Sequence, residues 1–102
     1  MNTQFKKGVL EMIVLHVVAK KDIYGYELVQ KVNEVIEVKE GTIYPLLKRL
    51  TNENYFDTYY EKSSEGPRRK YYRLTSLGKE HYRALLNEWK VFSKNIDRYI
   101  GG

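Results

Sequence analysis

Two groups of cations carry the only concentrated chemistry in this 102-residue chain. Arg68, Arg69 and Lys70 follow directly on the turn-forming run Ser63-Ser64-Glu65-Gly66-Pro67, and Lys48 and Arg49 stand together upstream, near the hydroxyls of Thr42 and Tyr44. Guanidinium and ammonium groups donate hydrogen bonds and accept none, so their partners are anionic or carbonyl oxygens. On a duplex those are phosphates and the acceptor edge of guanine, which a guanidinium bonds bidentately and an ammonium meets as a point charge. A threonine at a helix start can take a phosphate or a thymine methyl. Catalytic chemistry has no comparable foothold. His16 lies in an apolar run and His81 late in the chain, neither beside a nucleophile or carboxylate motif, and no glycine-rich phosphate loop or metal-ligand spacing occurs. There is no cysteine, hence neither disulfide nor thiolate site. A non-enzyme without cofactor or metal is the expectation.

These side chains become useful only if helices and a turn aim them. Ile43, Leu46, Leu47 and Leu50 recur at helical spacing, so a helix starting near residues 40–42 buries them and turns Gly41, Thr42, Pro45, Lys48, Arg49 and Asn52 outward, with Tyr44 on the flank. Pro45 lacks an amide hydrogen and belongs near the helix start or at a mild kink. Asn54 tolerates the left-handed conformation that ends helices. Before this segment, Leu10, Ile13, Val14, Val17 and Val18 predict a helix over 5–19 whose Val9, Met12 and Leu15 demand burial on most sides. Asp22 is a candidate cap for a second helix, striped by Tyr24, Leu28, Val32 and Val35. After it, residues 55–61 and 69–74 read as strands of an antiparallel hairpin, with about half of Tyr59, Tyr60, Tyr71 and Tyr72 expected in the core. Thr75 caps a last helix that meets no further glycine after Gly78 until Gly101 and Gly102. The fold class is therefore mainly α with a small β-hairpin (α+β): three helices, a hairpin and one long C-terminal helix. Residues 1–74 form the nucleic-acid-binding part and residues 75–102 the dimerisation helix.

Charge follows the same division. The formal net charge is +5 with a pI near 9.3. Up to residue 38 basic and acidic residues balance at five each, whereas residues 39–74 hold eight basic and five acidic ones. The excess sits where contact with an anionic polymer is expected. A basic hairpin beside a basic helix grips phosphates on either side of a groove, although the same cations would equally serve a solvated surface or guard a sheet edge. No run reaches the length of a membrane span, and the apolar stretch from Val9 to Ala19 is broken by Glu11 and His16. The expected setting is the cytoplasm, with no membrane partner.

Three runs together resemble the PadR family of transcriptional regulators, in its short form with one C-terminal helix. They are Tyr24-Gly25-Tyr26-Glu27-Leu28, then Glu40-Gly41-Thr42-Ile43-Tyr44-Pro45-Leu46-Leu47-Lys48-Arg49-Leu50, then Gly66-Pro67-Arg68-Arg69-Lys70-Tyr71-Tyr72-Arg73-Leu74-Thr75, followed by Glu88-Trp89 with Phe92 and Ile96. The resemblance implies a winged helix-turn-helix homodimer on a pseudo-palindromic operator of double-stranded DNA, usually a repressor. Thr42, Tyr44 and Lys48 then fall at contact positions and Arg68, Arg69 and Lys70 on the wing. Thr51 and Asn54 depart from the acidic residue and the glycine frequent in the family. A winged helix used for protein or RNA contacts is the competing reading, since fold does not dictate ligand.

In the last helix Tyr82, Leu85, Trp89, Phe92, Ile96 and Tyr99 advance by alternating threes and fours, a short heptad seam that seeks a partner helix or packs back on its own domain. Two-fold DNA sites favour the first, a homodimer. Trp89 and Phe92 either fill that interface or leave a gap where a small aromatic effector stacks, as the resemblance implies for some relatives.

Overall fold

In the computed structural model, which describes the backbone of residues 3–101 and side chains from Lys7 onward, the first helix, α1 (Thr3–Lys20), is the core element. Gly102 lies outside the described residues. Leu10, Val14, Leu15 and Val18 of α1 are buried, and Ile13 and Val17 pack partly against the same cluster. Around it come β1 (Ile23–Tyr24), α2 (Gly25–Asn33), α3 (Glu40–Asn52), the strands β2 (Phe56–Ser63) and β3 (Gly66–Leu74), and α4 (Ser76–Ile100).

The turn after α1 differs from expectation. Asp22 does not cap α2. Ile23 and Tyr24 form a two-residue strand that pairs with Tyr72 and Tyr71 on the edge of β3, and α2 starts at Gly25 without a side-chain cap. Burial explains the change: pairing there satisfies backbone groups and sends the β-branched Ile23 into the core. Asp22 is left to accept a hydrogen bond from the Tyr59 hydroxyl at 2.6 Å. At its other end α2 stops at Asn33, whose side chain donates to the Val29 carbonyl at 2.9 Å and accepts from the Val38 amide at 3.0 Å. Beyond Asn33 the helical period is lost, so Val35 is 69 % exposed and Ile36 takes the core position expected of it.

In α3 the side chains of Ile43, Leu47 and Leu50 are fully buried and Leu46 packs at the margin. Each full burial contributes about 2 kcal/mol, enough to fix the rotation of a three-turn helix about its own axis. Pro45 stands beyond the first turn. Its missing amide would have met the carbonyl of Gly41, at an exposed residue where water can serve instead. The helix closes through Asn54, at φ 67°, with Tyr55 N–H donating to the Leu50 carbonyl and Asn54 N–H to that of Thr51. This paired pattern around a left-handed residue is the Schellman stop that asparagine tolerates.

The sheet is antiparallel in the order β1-β3-β2, and Ile23, Phe56, Tyr72 and Leu74 on its inner face complete the core. Thr75 then caps α4 as expected, its hydroxyl oxygen accepting from Gly78 N–H at 2.9 Å and the hydroxyl donating to the Asn54 carbonyl at 2.7 Å. The first turn of α4 is thereby pressed against the chain leaving α3. A Cβ at Gly78 would lie 2.2 Å from the Tyr55 carbonyl oxygen and 2.7 Å from Leu74. Because the first of these atoms is backbone, Gly78→Ala must displace α4, and we expect a loss of about 3 kcal/mol in urea denaturation. A loss below about 0.5 kcal/mol would mean that this contact is loose.

Candidate nucleic-acid interface

At 100° per residue, burial of Ile43, Leu47 and Leu50 leaves an exposed arc on α3 centred on Gly41, Pro45, Lys48 and Asn52. Tyr44 lies on the flank facing α2 and the sheet, its ring 3.7 Å from where a Cβ on Gly25 would sit, next to the Tyr72 ring. Burial, helped by Glu40, raises the Tyr44 hydroxyl above its ordinary pKa of 10. Thr42, Pro45 and Arg49 line the opposite flank, a cleft of about 490 Å³ shared with Lys7 and Glu11 of α1. Lys48 thus lies within the arc, toward its Tyr44 side.

Arg49 is not presented freely. Its guanidinium is hydrogen-bonded to the Glu11 carboxylate and bonds both Glu53 oxygens at 3.1 and 3.2 Å. Glu11, whose side chain is only 18 % exposed, also meets His81 Nε2 of α4 at 2.8 Å. Burial works to raise the Glu11 pKa, but the hydrogen bonds from His81 and Arg49 outweigh it and hold the carboxyl below its ordinary 4.5. Neither Glu11 nor His81 belongs to a sequence motif, and their partners are distant in the chain, so only the fold reveals this cluster.

Strand geometry divides the basic triplet of the wing. Tyr60 pairs with Lys70 and Thr58 with the buried Tyr72, so Arg68 and Lys70 share the inner face with the core, Arg68 over the Tyr60 ring at 5.4 Å and Lys70 over Tyr72 at 5.6 Å. Arg69 belongs to the outer face with Tyr59, Tyr71, Arg73 and Tyr24. There the three tyrosines form a row across the sheet, with Arg69 4.9 Å above Tyr24 and Arg73 5.3 Å above Tyr59. Such cation–π contacts hold the cations in place, and Arg73 is also ion-paired with Asp57 at 3.6 Å. Of the four hairpin tyrosines, Tyr72 is buried, Tyr59 and Tyr71 are half-buried, and Tyr60 is exposed.

The seam on α4 divides as well. Tyr82 is hydrogen-bonded to His16 of α1, and Leu85 packs on the core, so these two are held within the chain. Trp89 and Phe92 border a shallow cleft of about 260 Å³ closed on its far side by Gly8, Val9 and Met12. Phe92, Ile96 and Tyr99 are exposed, Tyr99 at 89 %, together with Val91 and Ile100.

An exposed basic face on a third helix, a hairpin beside it and a projecting terminal helix are the parts of a winged helix-turn-helix regulator. The sequence profile of the Transcriptional regulator PadR-like family matches residues 14–84, from α1 through the first turns of α4. The chain belongs to this family. Members are DNA-binding transcriptional regulators and not enzymes. A PadR-like transcriptional regulator from Bacillus cereus is 37 % identical, with 98 % of this chain and 99 % of that one aligned at a TM-score of 0.88. A PadR family transcription regulator from Clostridium difficile is 38 % identical over 89 % of this chain and 97 % of its own, at a TM-score of 0.81. An uncharacterised protein of Lysinibacillus sphaericus shares 38 % identity over 100 residues, 94 % of this chain and 92 % of the relative. Among the described residues no helix is long and apolar enough to cross a membrane.

Two titrations test this geometry. The hydrogen bond to Asp22, with burial second, pushes the Tyr59 pKa up to about 12. The bond needs the protonated phenol, so its stabilisation is complete below pH 10 and disappears as pH rises through about 12. A residue-resolved NMR titration should place the Tyr59 midpoint near 12, and a midpoint near 10 would show that the bond does not hold. Glu11 has the opposite sign. Its lowered pKa gives stability above pH 4.5 that is lost as pH falls through the folded value. Glu11→Gln should therefore melt below wild type at pH 7, and the gap should close in acid; a gap independent of pH would remove the carboxylate from the account.

Proposed function

We propose that this regulator is a homodimeric, sequence-specific reader of double-stranded DNA that represses transcription from a pseudo-palindromic operator, with a small aromatic ligand as its releasing effector. The observation that carries the reading is the pair of exposed basic surfaces: Lys48 on the outward arc of α3, and Arg68 and Lys70 on the inner face of the wing. Lys48, with Thr42 and Tyr44 on either flank, enters the major groove. Arg68 and Lys70 neutralise phosphates at its border, and Arg69 points to the phosphates on the other side of the wing. Both terminal nitrogens of Arg49 bond acidic neighbours, Glu11 and Glu53, and the side chain serves the interface by holding α3 in place.

One recognition helix covers too few bases for a specific site, and the exposed Phe92, Ile96 and Tyr99 supply an apolar surface on which a second copy would place its own α4. Tyr82 and Leu85, the first residues of the seam, anchor that helix to its own domain. The cleft at Trp89 and Phe92 adjoins the same surface, so a planar ligand stacked there would alter how the two helices meet. Occupation of two half-sites within a promoter would block transcription sterically, and that is the mode of repression proposed.

The test is selection of bound fragments from a random duplex pool, followed by titration of the selected site at several salt concentrations. Lys48→Ala should weaken binding at least about tenfold, and Arg68→Ala with Lys70→Ala should lower the slope of log K against log salt by about 0.9 per lost phosphate contact. Ile96→Glu should yield a monomer in sedimentation and lose the palindromic site. Recovery of no preferred duplex, or equal affinity for single-stranded RNA, would refute the reading.

A further inference from the structure

The recognition helix and the helix offered for dimerisation meet through one carboxylate. One oxygen of Glu11, on α1, is hydrogen-bonded to Arg49 of α3, and the other lies 2.8 Å from His81 Nε2 of α4. The connection closes into a ring. The imidazole of His81 lies flat on Tyr55, ring centroids 4.1 Å apart and planes within 1°. Tyr55 is the third residue past the end of α3, and its carbonyl accepts the Thr75 amide at 3.0 Å and lies against Gly78 at the start of α4. Arg49 returns the ring to the end of α3 through Glu53. Three helices and the turn between α3 and β2 are thus referenced to one another by polar contacts of fixed geometry, in contrast to an apolar contact, which is non-directional and tolerates sliding.

We propose that Glu11 is a positioning residue for operator recognition: it fixes the angle of α3 relative to α4 and so sets the separation of half-sites that the dimer accepts. The proposal rests on the dimeric DNA-reading function above. In a two-fold dimer joined through α4, the distance and twist between the two copies of α3 follow from the angle each makes with its own α4. A shift of one base pair moves a half-site by about 3.4 Å and turns it by about 34°, so a modest pivot of α3 is of the size that matters. Replacing the carboxylate by an amide leaves one acceptor oxygen where Arg49 and His81 each bond their own, and frees that pivot. Arg49 acts through the same angle, as a positioning residue, and not by reading a base.

The experiment uses the intact protein and duplexes carrying the selected half-sites at the preferred separation and at one base pair more and one fewer. Wild type should favour the preferred separation at least about tenfold. Glu11→Gln, which keeps the size of the side chain, should reduce that ratio to within about threefold, and Arg49→Gln should do the same, while base preference inside the half-site stays as in wild type. Circular dichroism and sedimentation establish that each variant is folded and dimeric. If Glu11→Gln fails to fold, His81→Gln, which breaks the ring on the α4 side only, makes the same comparison. Wild-type spacing preference in Glu11→Gln, or in His81→Gln where it stands in, overturns the proposal. So does an Arg49→Gln protein whose base preference changes at one half-site position, the mark of direct reading. A wild type that binds no duplex specifically fails at the earlier step and overturns the functional reading itself.

Discussion

Burial of Ile43, Leu47 and Leu50 is the constraint on which the rest of the molecule depends. A helix held by three side chains on one stripe has no rotational freedom about its axis, because a turn that exposed them would forfeit several kcal/mol. Lys48 is therefore aimed outward by leucines, with no contribution from its own charge. The same core receives one broad face of α1 and the inner face of the sheet, so α3 and the wing are set by one packing problem. A regulator of this size can present a rigid surface to a polymer because the presenting elements share a single core.

Polar contacts then refine what apolar packing leaves loose. Hydrophobic burial is non-directional and would tolerate small rotations of α4 over α1, whereas the Glu11, His81 and Arg49 contacts and the Tyr55 stack have narrow geometric optima. Glu11 and His81 are largely withdrawn from water, which strengthens the contact between them, whereas Arg49 keeps about half of its side chain exposed. On the sheet the outer row of tyrosines does similar work. Tyr24, Tyr71 and Tyr59 brace three strands while Arg69 and Arg73 lie over their rings, so the hairpin stays stiff beyond the core it grows from.

The terminal helix is built as two halves. Its first turns are clamped by Thr75, Gly78, Tyr82 and Leu85, and from Val91 onward its apolar side chains stand open. Trp89 and Phe92 sit at the junction, next to Gly8 and Met12 of α1, so the cleft they form touches the projecting surface and the helix that carries Glu11. A change in how two copies of α4 meet would be felt first at this junction.

Where the physics is local, the residues alone decided most of the outcome, the cap expected of Asp22 excepted. The period of Ile43, Leu47 and Leu50 determined which face of α3 turns inward, Asn54 supplied the left-handed stop, Thr75 the cap of α4, and alternation along the hairpin its inner and outer faces. What required the tertiary structure has partners far off in the chain. Ile23 and Tyr24 are too short a run to announce a strand and become one only beside Tyr72 and Tyr71. Arg49 reads as a free cation until Glu11, on another helix, arrives next to it, and Tyr82 reads as part of a seam until His16 takes its hydroxyl. Periodicity records which side of an element is apolar; it carries no information about which distant polar group will lie opposite, because that depends on how complete elements pack.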